Sequence, residues 1–185
     1  IDGDNDIDAI IGNATKNANI VMINDGAGNF SDSGQTLGES STEQVTLSDV
    51  DLDGDLDLFT ANTTEIGGDP ADKVWMNDGQ GLFSDSGQAL GTTDSFAVAL
   101  GDVDKDGDPD ALVGAARESP DNKLYLNKGN WEFEDITQSS GTACSNVWST
   151  GASLVDVNGD GLLDIYVCKA GKPGGENRHN ELFIN

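Results

Sequence analysis

The residues best equipped for chemistry are aspartates on a repeated spacing. "DVDLDGDLD", Asp49 to Asp57, puts an aspartate at every odd position and a glycine at the sixth; "DVDKDGDPD" runs from Asp102 to Asp110, "DVNGDGLLD" from Asp156 to Asp164, and the chain opens with "DGDNDID", Asp2 to Asp8. Aligned on the last aspartate, the segments fit D-x-[D/N]-x-D-[G/N]-x-x-D, with the first position of the first copy falling before residue 1. In a tight loop, side chains at positions 1, 3, 5 and 9 can turn inward while a backbone carbonyl at position 7 joins them. Position 6 must then adopt a left-handed conformation, open to glycine and less readily to asparagine. Gly54, Gly107, Gly161 and Asn5 stand there.

Hard oxygen donors with no histidine or cysteine nearby select calcium over zinc or copper. Two carboxylates about 5 Å apart repel by roughly 3 kcal/mol at an effective dielectric near 20, so a curled loop with several such pairs needs a cation or stays open. The expected calcium ligands are Asp2, Asp4, Asp6 and Asp8; Asp49, Asp51, Asp53, Asp55 and Asp57; Asp102, Asp104, Asp106, Asp108 and Asp110; and Asp156, Asn158, Asp160, Leu162 and Asp164. The position-7 residues (Asp6, Asp55, Asp108, Leu162) vary, as expected if only their carbonyls are used. One Ca2+ per loop gives three or four in total. The first half of the pattern is that of an EF-hand loop, but no glutamate stands at position 12, where Thr60, Val113 and Val167 are found, and the flanks are not amphipathic helices.

The formal charge of −25 excludes nucleic acid as a natural partner and disfavours anionic membranes; no apolar run approaches the roughly 18 residues needed to span a bilayer. Cys144 and Cys168 have no metal or redox spacing; a disulfide and two free thiols are both open. No nucleophile elbow, phosphate loop or zinc motif occurs, and calcium would consume nearly all the aspartates that could pair for glycoside cleavage, so the expectation is a protein that is not an enzyme. His179, the single histidine, has no visible catalytic companion and reads as a solvated loop residue.

The elements that must hold these loops recur in register with them. Asp4, Asp53, Asp106 and Asp160 are separated by 49, 53 and 54 residues. Each loop is followed by an apolar run ("AIIG", "LFTA", "ALVG", "IYVC"), a polar link, and a second run ("NIVMIN", "KVWMN", "KLYLN", "ELFIN") ending in asparagine. A turn then leads to Phe30, Phe83 or Phe133, and a fourth run ("QVTLSDV", "FAVALGDV", "GASLVDV") precedes the next loop. Short β-branched or aromatic runs bounded by Gly, Asn and Asp read as antiparallel strands. The fold class is therefore all-β: four-stranded β-propeller blades, with a β-sandwich as the runner-up. Near-identical "FSDSGQTLG" and "FSDSGQALG" favour stacked equivalent units.

Loop, strand pattern and period together resemble the FG-GAP and VCBS repeat family, the calcium-loop propellers that include the integrin α-subunit head and many secreted bacterial proteins. The resemblance covers essentially the whole chain; the last repeat is similar to those that accompany the ASPIC or UnbV domain. It implies a single propeller segment over residues 1–185, with repeats near 1–48, 49–101, 102–155 and 156–185, the first and last incomplete. With strands named A to D and the acidic loop between A and B, the chain holds B, C and D of one blade, two whole blades, and A, B and C of a fourth. Family propellers usually have seven blades, which makes this about half of one, the remainder lying in the same or a second chain or absent.

In such a meander the acidic loops lie on one face and the length-variable B-C links on the other, where a repeat scaffold tends to bind. The expected role is noncovalent recognition of an extracellular protein or glycan by a secreted or cell-surface protein. A structural repeat of a larger surface assembly and a propeller domain of a polysaccharide-processing enzyme are the alternatives. Trp148 and Arg178 are the candidate ligand contacts, though packing between blades is the expected fate of Trp148. "NAT" at Asn13 and "NTT" at Asn62 match the N-glycosylation sequon.

Overall fold

The computed structural model describes residues 1–15, 17–64, 69–115, 121–129, 132–144, 148–170 and 179–185. Its 14 described strands form four antiparallel sheets, each in sequence order. The first holds β1 (Ala9–Ile11), β2 (Ile20–Asn24) and β3 (Phe30–Asp32); the second β4 (Ser41–Ser48), β5 (Asp57–Thr63), β6 (Lys73–Asn77) and β7 (Phe83–Asp85). The third holds β8 (Ser95–Gly101), β9 (Asp110–Ala115), β10 (Lys123–Asn127) and β11 (Phe133–Asp135), and the fourth β12 (Trp148–Val155), β13 (Asp164–Ala170) and β14 (Glu181–Phe183). These are the blades of a partial propeller, divided into strands as the repeats predict. One short helix, α1 (Thr137–Ser140), lies in the connector between the third and fourth blades.

Every residue of β5 and of β9 is buried, because each blade lies between two others. Alternation sends successive side chains to opposite neighbours. Leu58 joins Val21, Leu37, Trp75 and Phe83 between blades 1 and 2, whereas Phe59 and Ala61 join Val50, Val74, Val98, Val113 and Tyr125 between blades 2 and 3. Leu112 turns the other way from Val113, toward Leu124, Ile165 and Val167 between blades 3 and 4. The apolar core is thus three inter-blade layers, and the polar residues of β5, Asp57, Thr60, Asn62 and Thr63, are buried with it.

Register shifts recur at one place in every innermost strand described, between Thr42 and Gln44, Ser95 and Ala97, and Ser149 and Gly151. Such bulges bend and twist the strand. Just beyond the first bulge, the Gln44 side chain donates to the Val98 carbonyl at 2.9 Å and accepts from the Val98 amide at 3.2 Å, joining the inner strands of blades 2 and 3.

Neither cysteine is bridged. Cys144 is buried and its thiol donates to Glu181 Oε2 at 2.6 Å, while the Lys169 ammonium pairs with Glu181 Oε1. Burial and the Glu181 carboxylate push the Cys144 thiol up to about 12, so it is a structural donor and not a nucleophile. Asn62 is buried, with its side-chain amide on the Ala71 carbonyl at 2.8 Å, which removes the second sequon from glycan attachment in the folded chain. No helix among the described residues is long and apolar enough to cross a membrane.

Candidate metal centre

All the acidic loops fold by one set of local bonds. The side chain at position 3 accepts the amide of position 5, and the side chain at position 5 accepts the amide of position 7. In the second loop these are Asp51 from Asp53 at 3.1 Å and Asp53 from Asp55 at 3.0 Å. The pairs Asp2 with Asp4 and Asp4 with Asp6, Asp104 with Asp106 and Asp106 with Asp108, and Asn158 with Asp160 and Asp160 with Leu162 repeat the pattern. Position 1 closes the loop on position 6: Asp49 Oδ2 accepts from Gly54, Asp102 Oδ2 from Gly107 and Asp156 Oδ2 from Gly161.

That closure demands the left-handed backbone expected at position 6, where Asn5, Gly54, Gly107 and Gly161 have φ of 74°, 101°, 101° and 84°. Position 4 is left-handed too, and there the sequence gives no warning. Gly3 and Gly159 suit it, but Leu52 and Lys105 adopt φ of 61° and 63°. A non-glycine residue in this region costs about 1 kcal/mol or more. Leu52 is 56% exposed, so Leu52→Gly surrenders little packing and is expected to raise stability by about 0.5 kcal/mol after the added freedom of the unfolded glycine is counted; a urea melt reads this directly.

Two acidic groups converge among the described residues: Asp49, Asp51 and Asp57, and Asp102, Asp104 and Asp106, each offering carboxylate oxygens that all lie within 4.8 Å of one another. In both loops the free oxygen of position 1, Asp49 Oδ1 and Asp102 Oδ1, is buried without a hydrogen-bond partner. A buried unpaired carboxylate oxygen is costly, and it points to a cation as the missing partner. The donor set is all oxygen, as calcium requires. Burial, reinforced by Asp51 and Asp53, pushes Asp57 up to about 6, and burial with Asp104 and Asp106 does the same for Asp110. Asp51 is raised as well, first by burial and then by its aspartate neighbours.

The outer loops differ. In the fourth, both oxygens of Asp156 accept backbone amides, from Gly159 at 2.6 Å and Gly161 at 2.8 Å, and Asn158 donates its amide to Asp160. Local bonds to Leu162 and Asn158, with Lys105 nearby, hold the Asp160 carboxyl low. In the first, Asp6 is raised by desolvation and by Asp4, Asp8, Asp2 and Asp25. Among the described residues, the convergent groups of three carboxylates are those of the second and third loops.

The position-9 aspartate has a further duty. Asp57 Oδ2 accepts the amide of Val50 at 3.1 Å, and its Oδ1 accepts the amide of Asn77 at 2.9 Å, tying the loop to the end of strand C. Asp110 and Asp164 do the same with Val103 and Asn127, and Val157 and Asn185, while Asp8 accepts the Asn24 amide and pairs with the Ile1 ammonium. The asparagine completes the latch. Asn77 Nδ2 donates to Leu56 O in its own loop and to Ile1 O in the preceding blade's loop; Asn127 reaches Val50 O and Asn185 reaches Val103 O. These asparagines connect neighbouring acidic loops, a role missed in the sequence although their recurrence at the end of every C run was the available signal.

Position 7 is more constrained than its sequence variability implies. A Cβ added at Gly26 or Gly79 would overlap the Asp6 or Asp55 carboxylate, so the side chain of position 7 sits on the left-handed glycine of the C-D turn. Loop and turn therefore share one face.

The FG-GAP-like repeat family matches residues 1–60, 49–113 and 113–167. The chain belongs to this family. FG-GAP repeats often bind calcium and occur in extracellular proteins, and the two acidic groups here could hold a metal ion. Among curated proteins none matches the chain. Of the candidate ligand contacts expected from sequence, Trp148 lies with its ring against Phe96 at a ring-centroid distance of 5.8 Å, between blades 3 and 4. Arg178 lies outside the described residues, as do parts of the B-C links at 65–68, 116–120 and 171–178. His179 is exposed.

Proposed function

We propose that this chain is a calcium-braced recognition module of a secreted or surface-exposed protein, binding a protein or glycan partner noncovalently and catalysing no reaction. The observation that carries the calcium reading is the pair of buried, partnerless oxygens of Asp49 and Asp102 within clusters of aspartates. Asp49, Asp51, Asp53 and Asp57 would hold one ion, and Asp102, Asp104, Asp106 and Asp110 another. A bound divalent cation supplies positive charge where the loops otherwise concentrate like charge, and millimolar extracellular calcium fills even weak sites of this kind.

Everything else is done by the chain itself. The position-9 carboxylates fix loop to strand C, and the asparagines fix each loop to its neighbour, so a braced loop face holds the blades in register. The opposite face is then free to present the B-C links to a partner. A glycan array probed with folded protein, in calcium and in chelator, tests the recognition half. Calcium-dependent binding to a defined sugar is the expected result for a glycan partner; if sugars and basic proteins alike fail to bind folded, calcium-loaded chain, the recognition reading is wrong.

A further inference from the structure

The fourth acidic loop uses its oxygens differently from the second and third. Its inward positions 1, 3, 5 and 9 are Asp156, Asn158, Asp160 and Asp164, and every side-chain oxygen among them accepts a hydrogen bond from the chain. Asp156 takes the amides of Gly159 and Gly161, and Asn158 takes that of Asp160. Asp160 takes the Leu162 amide and the Asn158 side-chain amide, and Asp164 the amides of Val157 and Asn185. In the second and third loops the Oδ1 of Asp49 and of Asp102 is buried without such a partner. The orphaned oxygen that calls for a cation there is satisfied here by a backbone donor.

Residue choice accounts for the difference. Position 4 is Gly159, with φ of 80° where Leu52 and Lys105 stand at 61° and 63°, and its amide reaches Asp156 Oδ1 at 2.6 Å. Position 3 is an asparagine, which brings a donor to Asp160 Oδ2 at 2.8 Å where the second and third loops have another carboxylate. Position 7 is Leu162, so the segment from Asp156 to Asp164 carries three carboxylates where its counterparts carry five. The third loop lends a charge as well: Lys105 Nζ lies 3.4 Å from the point that a Cβ on Gly161 would occupy. Fewer carboxylates beside a resident ammonium leave less like charge to neutralise.

We infer, resting on the calcium reading of the second and third loops for the contrast, that the fourth loop is a metal-independent latch. Its own amides close it, Lys105 of the preceding blade supplies the positive charge, and it takes up no calcium. Asp156, Asn158, Asp160 and Asp164 then act as structural acceptors and not as metal ligands. Removing calcium loosens the second and third loops, while the fourth keeps its closure. Asn185, on Asp164 and on the Val103 carbonyl, continues to tie blade 4 to blade 3.

The test is a calcium titration of the whole, chelator-stripped and isotope-labelled chain, followed by nuclear magnetic resonance at the position-6 amides of Gly54, Gly107 and Gly161. Gly54 and Gly107 should shift and saturate while Gly161 stays in place, and the Asp102→Asn protein removes any effect relayed from the third loop. A saturable shift of Gly161 that persists in Asp102→Asn would overturn the proposal. Hydrogen exchange in chelator reads the part played by Lys105. Lys105→Gln should speed exchange at Gly161 by roughly fivefold or more and leave Gly54 unchanged, with Lys105→Arg close to the parent chain. Equal Gly161 rates in the glutamine variant and the parent would also sink it. If Gly54 and Gly107 are silent to calcium as well, the calcium reading itself fails, and the exchange rates alone decide whether the chain closes its fourth loop with Lys105.

Discussion

Asp57→Ala is expected to destabilise the chain by about 3 kcal/mol even when calcium is withheld, because the Asp57 carboxylate latches its loop to strand C. Its carboxylate is 1% exposed and receives the backbone amides of Val50 and Asn77. Removing it orphans two buried donors, each worth about 1–3 kcal/mol, and relief of the like charge from Asp51 and Asp53 offsets only part of this. Asp57→Asn keeps one acceptor and should lose less. Urea melts of both variants in chelator separate the latch from metal binding. A change below about 1 kcal/mol for the alanine variant would show that those two amides find other partners.

The second large effect concerns Asp72. At this position in the other blades stand Asn19, Asn122 and Asn180, each accepting a backbone amide at the end of strand B: Asn13, Ala115 and Lys169. Asp72 accepts the corresponding amide of Asn62 at 2.9 Å and the Ser95 hydroxyl at 3.0 Å, but it is 2% exposed, and burial pushes it up to about 8. Tyr125 is in turn raised by burial and by the charges of Asp135 and Asp72.

A carboxyl whose pKa is higher folded than unfolded keeps more protons in the folded state, so stability falls as pH rises. The contribution is fully present below pH 4 and lost progressively as pH climbs to about 8. Asp72→Asn removes the proton and the slope. At pH 7.5 it should stabilise by about 2 kcal/mol, raising the melting temperature by roughly 4–8 °C for a chain of this size. Below pH 4 the two proteins should converge. Parallel profiles from pH 4 to 8 would mean that Asp72 is ionised and solvated in the folded chain.

The strands were legible in the sequence because each run is punctuated by Gly, Asn or Asp and repeats in register. The A-to-D count survives into sheets that lack A in the first blade and D in the last. Loop closure was legible at position 6, where glycine or asparagine marks the left-handed residue. It was not legible at position 4, since Leu52 and Lys105 carry no preference for the conformation they adopt. The latch role of Asp57 was hidden for a different reason: a carboxylate placed to bind metal and one that accepts two amides look alike in sequence. The asparagine latch acts between blades, 77 residues apart for Asn127 and Val50, a separation at which composition and periodicity say nothing. Trp148, half-buried at the start of β12, has its ring against Phe96 of the preceding blade, a contact that its place in the sequence does not specify.

Calcium titration of chelator-stripped protein, read by calorimetry and by melting temperature, tests the bracing of the loops most directly. At least two ions per chain should bind, with a rise of 10 °C or more on the order expected from several kcal/mol of linked binding. Asp49→Asn with Asp102→Asn should remove two of the bound ions and most of the rise. A stripped chain that melts at the same temperature with and without millimolar calcium, and takes up no ion, would contradict the assignment of these loops as metal sites.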